Sequence, residues 1–395
     1  MSTTSTTGSG AAAITLTEAE LDRYITHEPT RMWLSGPGLP DTGGLLTFEP
    51  LRTAGLRTLA DVADLTAGPS RLAEDLRDRL VIGELLAPAG LDTESILLDG
   101  GTGEISTAYL VDPADPRPLA PSLETLLRFA AVTEELTGLR GRFAALAGTY
   151  GTKTATEASR RLLELFEEGT AAGRVPPYWK ATALIRPLSL VAGPGPGTDS
   201  GLAVDLPARL LDQEFGQGRV ARFEEVDFPP TLTHEPTRRF LRETGLPEDA
   251  VLFHLDPDAP LPTLREYFTD VHTGDFPLEA LPPHAGRLIR LGHLVEENSL
   301  VVDGTTGAIL NFSEPEATLH PLNTDISTLA FTLWLLHHER TIDEHLNHEL
   351  TTEAYDQLAA TMLHTLATID PTPTTTDAQW HYWTELFQDE AGGVL

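Results

Sequence analysis

The sequence predicts an α+β protein that carries the same domain twice. Two repeats and one order of elements predict it. The stretch THEPTRMWLSGPGLP at 26–40 returns without a gap as THEPTRRFLRETGLP at 233–247. SILLDGGTGEI at 95–105 returns as SLVVDGTTGAI at 299–309, and PLAPSLETL at 118–126 returns as PLNTDISTL at 321–329. Thr-Glu-Ala recurs at 156–158 and 352–354, and Tyr178-Trp179 recurs as Tyr382-Trp383. Landmarks in one order at nearly constant separation signal duplication, and repeats this long are whole domains rather than solenoid units. Within each copy, a helix precedes strands and a helical block follows them, which is an α+β arrangement.

Each element has a physical warrant. Thr26 and Thr233 are suited to cap a helix whose first turn holds His, Glu and Pro, where proline sacrifices no hydrogen bond. Glu28 and Glu235 then meet the helix's positive end, Met32, Trp33 and Leu34 supply apolar bulk, and Gly-Leu-Pro stops the helix. The runs ILLD and LVVD are β-prone, and Gly103 and Gly307 open a tight turn before the chain extends again. Strands joined this closely are antiparallel. Ser122 then caps a helix with Leu126, Leu127, Ala130 and Leu136 turned to a core. Its counterpart after Asp325 is more apolar and buries Leu329, Leu333 and Trp334 more deeply. A last amphipathic helix aligns Tyr355, Leu358, Met362 and Ile369 and ends at Pro371.

The expected organisation is a disordered tail over 1–15, a first domain over 16–195 and a second over 196–395. The tail is rich in Ser and Thr and has neither the basic start nor the apolar centre of a signal peptide. The boundary is placed at VAGPGPGTDSG, 191–201, where Gly and Pro disfavour regular structure. A length of 395 residues also favours more than one core.

Composition narrows the function. Lys and Arg total 27 against 59 Asp and Glu, a formal charge of -32, and Lys153 and Lys180 are the only lysines. Such a surface repels nucleic-acid phosphates and anionic lipid and suits a basic protein partner. No run approaches the apolar length that spans a bilayer. Cysteine is absent, which removes disulfides, thiol nucleophiles and thiolate metal sites and fits a cytoplasmic address.

Catalytic readings find little support. His337, His338, His345 and His348 gather near Glu339, Glu344 and Glu349, but no HExxH occurs and the first copy has no matching cluster. His27-Glu28 and His234-Glu235 are not dyads by adjacency, since neighbouring residues of a helix point in different directions. GTYGTKT at 148–154 lacks phosphate-loop spacing, and the prolines of GPGPG remove N–H groups from a cradle. Asp99 and Asp303 are explained by Asp-Gly turns. No catalytic residue, metal site or cofactor is expected. Tyr178-Trp179 and Tyr382-Trp383 are assigned to the cores.

The second copy resembles the SUKH-4 branch of the SUKH superfamily of bacterial immunity proteins. The resemblance lies in Thr237-Arg238-Arg239-Phe240-Leu241 before Gly245-Leu246-Pro247, in LVVDGTTGAI, and in HPLNTDISTLAFTLWLL, where Asn323 begins the helical segment. The first copy is a degenerate match: Ala120, Pro121 and Ser122 stand where the second has Asn323, Thr324 and Asp325, and Gly36-Pro37 disrupts the helix exit. The resemblance implies two tandem SUKH-like domains, each a mainly antiparallel sheet flanked by helices. It also implies a noncatalytic protein that binds and neutralises a toxin of a polymorphic toxin system, such as a nuclease or nucleic-acid deaminase. A basic toxin agrees with the chain's acidity, and Glu224, Glu225, Asp227, Glu296, Glu297 and Asp303 are the candidate partner-binding residues. An acidic regulatory scaffold and a metal-dependent hydrolase are the alternatives.

Overall fold

The computed structural model describes residues 13–66, 76–86, 93–110, 116–170, 174–195, 199–250, 252–256, 260–270, 276–295, 297–372, 382–388 and 395. The chain divides into one unit of residues 1–87, 92–147 and 160–180, and another of 88–91, 148–159 and 181–395. This division falls ahead of the Gly/Pro stretch expected to carry it. Ala181, Ile185, Leu188 and Val191 are buried in the second core, and burial of each large aliphatic side chain contributes roughly 1.5–3 kcal/mol. Of the tail expected over 1–15, residues 1–12 lie outside the described residues, and Ile14 exchanges backbone hydrogen bonds with Leu39.

Both units fold as the sequence patterns require. In the first, helix α1 (Glu28–Ser35) precedes strands β1 (Thr42–Gly43) and β2 (Leu46–Thr47) and helix α2 (Leu59–Thr66). Then come β3 (Leu80–Leu85), β4 (Ser95–Leu98), β5 (Ile105–Ala108) and β6 (Arg117–Ala120), followed by α3 (Leu123–Thr137). Helices α4 (Thr152–Glu167) and α5 (Pro177–Ile185) follow in the chain, and the division passes through both: only 160–167 and 177–180 belong to this unit. The sheet runs β1-β2-β3-β4-β5-β6, every pairing antiparallel, with Arg57–Thr58 also against β3. Phe129, Phe166 and Trp179 form an aromatic core beside it, and the Trp179 indole N–H donates to the Leu119 carbonyl at 2.9 Å.

The second unit repeats the plan. After α6 (Leu210–Phe215) and α7 (Glu235–Glu243) come β7 (Asp249–Ala250), β8 (Phe253–Leu255) and α8 (Leu264–Asp270). Strands β9 (Leu288–Leu294), β10 (Asn298–Asp303), β11 (Ile309–Ser313) and β12 (Thr318–Asn323) complete an antiparallel sheet in the order β7-β8-β9-β10-β11-β12. Helices α9 (Ile326–His345), α10 (Glu349–Ile369) and α11 (Tyr382–Gln388) close the chain. Strands β4 and β10 are buried along their whole length, as their continuous apolar runs require.

Even the irregularities repeat. Strand β3 has a register shift between Val81 and Gly83, and β9 has one between Arg290 and Gly292. A side chain at either glycine would collide with backbone, 2.4 Å from the Thr47 carbonyl oxygen or 2.1 Å from that of His254.

Ser122 caps α3, accepting the Thr125 N–H at 3.2 Å. Asn323 does not open the next helix: it ends β12, opposite Ile309, and Asp325 caps α9 by accepting from Ser327 and Thr328. Leu329, Leu333 and Trp334 are buried as expected. Tyr382-Trp383 matches Tyr178-Trp179, both pairs meeting edge-on inside a core.

Candidate partner-binding surface

The repeated His-Glu-Pro-Thr-Arg motif is a clasp on the repeated Asp-Gly turn. Thr26 and His27 both donate their N–H groups to the Gly100 carbonyl, at 2.9 and 3.0 Å; Thr233 and His234 do so to Gly304, at 2.7 and 2.9 Å. The threonines are therefore not the helix caps, since their backbone is turned to the hairpin, and His27 and His234 take that position. Each imidazole Nδ1 pairs with a buried threonine hydroxyl three residues on, Thr30 or Thr237, at 2.8 Å. Each ring also lies against the closing glycine of the turn. A Cβ at Gly103 or Gly307 would fall 2.3 or 2.2 Å from Nδ1, and both glycines have left-handed backbone, φ +79° and +80°. Burial holds the His234 pKa below its usual value, against an opposing pull from Asp325. The duplicated histidines thus fasten helix to hairpin.

The acidic candidates fare differently from one another. Glu224 and Glu225 are exposed at a 3₁₀ turn, Glu225–Asp227. Asp227 is half-buried; its carboxylate accepts the Glu224 N–H at 2.7 Å and its carbonyl accepts the Leu261 N–H at 2.9 Å. Glu225 pairs with Arg238 and, at 3.2 Å, with Arg242, both on α7. Between these acids Val226 is 80% exposed. Its exposure is not legible from Glu-Glu-Val-Asp, which has no amphipathic period; only the pinned turn lifts the valine outward. Glu297 is exposed between β9 and β10 at φ +55°. Glu296 lies outside the described residues.

Asp303 is buried and committed to its own hairpin. Its Oδ1 accepts the N–H groups of Thr305 and Thr306 at 2.9 and 3.2 Å, and Oδ2 lies 3.0 Å from Arg287 Nη2. Burial alone would raise its pKa; these two N–H groups and Arg287 reverse that and hold it low. Asp99 makes the same turn with Gly101, Thr102 and Arg79. Little of Asp303 therefore reaches the surface, its carboxylate being taken up by its own hairpin.

The histidines near the end of α9 separate into local contacts. Glu214 on α6 accepts from the Trp334 indole at 3.2 Å and lies 3.3 Å from His337 Nδ1 and 3.0 Å from His338 Nδ1. The Nδ1 of His345 faces the Thr341 carbonyl, and that of His348 lies 3.6 Å from Asp343. Among the described residues no group of three or more His, Asp or Glu is placed to hold a metal ion.

A polar row lies on the second sheet. Strand register places Asp249, His254, His293 and Ser299 side by side across β7, β8, β9 and β10. The His254 and His293 rings are 5.0 Å apart, and His254 Nδ1 meets the Asp249 carboxylate. Beneath them Arg290 is only 3% exposed. Its guanidinium sits 3.8 Å from the Tyr267 ring centroid, its Nε donates to Ser299 Oγ at 3.0 Å, and Nη1 faces Asp256. Ser299 in turn donates to Glu314 at 2.9 Å. Burial lowers the Arg290 pKa to about 10 against the pull of Glu314, so it stays charged. Alternation could have flagged His293 and Ser299, but their pairing depends on register between distant strands.

The model of the family described as SUKH-4 immunity protein matches two stretches of the chain, residues 4–168 and 206–389. No curated protein and no solved structure shows a significant match.

Proposed function

The chain belongs to the SUKH-4 immunity-protein family, present as two tandem domains, and on that footing we propose that it binds and neutralises a cognate toxin in the cytoplasm. Immunity proteins of this family act by binding and not by turnover. The observation that carries the proposal is the family match to both halves of one strongly acidic chain. A toxin that works on nucleic acid presents a basic groove to its substrate, and a protein of charge -32 is drawn to that groove from a distance. The exposed Val226 among Glu224 and Glu225 offers apolar contact within an acidic rim, a pattern suited to a protein interface. Among the described residues no helix is long and apolar enough to cross a membrane.

The experiment is co-expression with each toxin gene encoded beside this one. Growth should be restored with one of them, and the purified pair should co-elute at low salt. Failure of every neighbouring toxin to bind or be inhibited would remove the proposal.

A further inference from the structure

The two copies share a fold, so their differences show what the fold does not need. In the first sheet, register places Thr42, Thr47, Glu84 and Ser95 where the second has Asp249, His254, His293 and Ser299. Counted from the shared register shift, Val81 stands at the place of Arg290. Counted from the matching N–H contacts at Thr58 with Asp61 and Thr263 with Glu266, Val62 stands at the place of Tyr267. Val62 and Val81 are buried together in an apolar cluster with Leu59 and Leu97. Two valines thus satisfy this site in one copy, while the other buries a guanidinium there. Desolvating a charge costs several kcal/mol before its partners compensate, so the arginine is not explained by packing alone.

What Arg290 holds is a set of acceptors at the sheet surface. One face of the second sheet packs Leu300, Val302 and Ile309 into the core with α9. On the other, Val301 and Phe312 lie with Leu264 and Phe268 of α8. The row continues beyond that cover: the side chains of Asp249 and His254 are 77% and 49% exposed, and His293 is exposed beside them. Arg290 fixes Asp256 directly and Glu314 through Ser299.

We propose that this row is where the second domain receives arginine or lysine side chains of its protein partner, with Arg290 as the positioning residue. The inference rests on the reading of the chain as a binder of a basic protein. Three carboxylates, Asp249, Asp256 and Glu314, stand against the one guanidinium of Arg290, so acids outnumber it by two. Burial, the neighbouring His254 and Arg290 hold the His293 pKa below its usual value, opposed by Glu314 and Asp249. The contact of His254 Nδ1 with the Asp249 carboxylate holds that acid in the row. The row therefore takes a cationic donor.

The test uses the full chain and a fluorescent tetra-arginine peptide at low salt, with binding read by anisotropy and by the imidazole NMR resonances of His254 and His293. Both resonances should move to saturation. Asp249→Asn with Glu314→Gln should weaken binding about tenfold. The same charge change made as Glu167→Gln with Glu168→Gln, two exposed residues of the first unit, should leave affinity nearly unchanged. Arg290→Met should also weaken binding, although loss of a positive charge would by itself favour a cation; unfolding curves confirm that the variant is folded. Unmoved histidine resonances, or equal effects of the two double variants, would overturn the proposal. No toxin is needed, so the outcome is separate from that of the co-expression experiment.

Discussion

Gly307→Ala puts the clasp under direct strain. The new methyl lies 2.2 Å from His234 Nδ1 on a backbone at φ +80°. Left-handed backbone costs an alanine about 1–2 kcal/mol. The imidazole must also move, breaking its 2.8 Å contact with Thr237 Oγ1, and stranding that buried hydroxyl costs about 1–3 kcal/mol. The sum is about 2–5 kcal/mol lost from the second domain. Urea unfolding followed by tryptophan fluorescence measures it, with Trp334 and Trp383 reporting the second unit and Trp179 the first. Removing the ring clears the collision, so Gly307→Ala combined with His234→Ala should be less unstable than the two single losses added, by about 1–2 kcal/mol. Gly103→Ala with His27→Ala should behave likewise in the first unit's transition. A Gly307→Ala loss below about 0.5 kcal/mol, or strict additivity with His234→Ala, would refute the clasp.

Other outcomes follow from buried polar groups. Glu339 is fully buried on α9; burial first, and Asp343 second, push its pKa up from 4.5 to about 8 against Arg340. Between those values the folded chain keeps a proton that the unfolded chain releases, so this group makes stability fall as pH rises, levelling above about 8. Glu339→Gln should flatten that slope and raise stability at pH 8 by about 2 kcal/mol, and equal slopes of urea midpoint against pH in both proteins would contradict it. Asp325 accepts from the Ser327 and Thr328 N–H groups, from Ser327 Oγ at 2.6 Å and from the Ala203 N–H at 2.6 Å. Asp325→Ala should therefore cost the second domain about 2 kcal/mol or more, against about 1 kcal/mol for Ser122→Ala in the first, measured by the same unfolding.

Much of the fold was legible because it is written twice. The hairpin at Asp99 and Asp303, the helix beginning after Ser122 and the paired Tyr-Trp landmarks rest on local signals, and local signals survive without a third dimension. Places where a residue serves a distant partner were not legible. His27 and His234 read as first-turn residues because nothing in their neighbours reveals a glycine some seventy positions on. Asp303 read as surface acid because burial is not visible in a turn motif. Arg290 passed without notice since its value lies in Tyr267, Asp256 and Ser299, which only strand pairing assembles. The unit division missed the Gly/Pro stretch because Ile185 and Leu188 lend their bulk to the second core.

The most direct measurement is a titration of the neighbouring toxin's activity with purified protein at two salt concentrations. A binder without turnover predicts inhibition that is complete at a fixed molar ratio, with association slowed by added salt. Inhibition by a small catalytic fraction of the protein, or none at any ratio, would contradict the account.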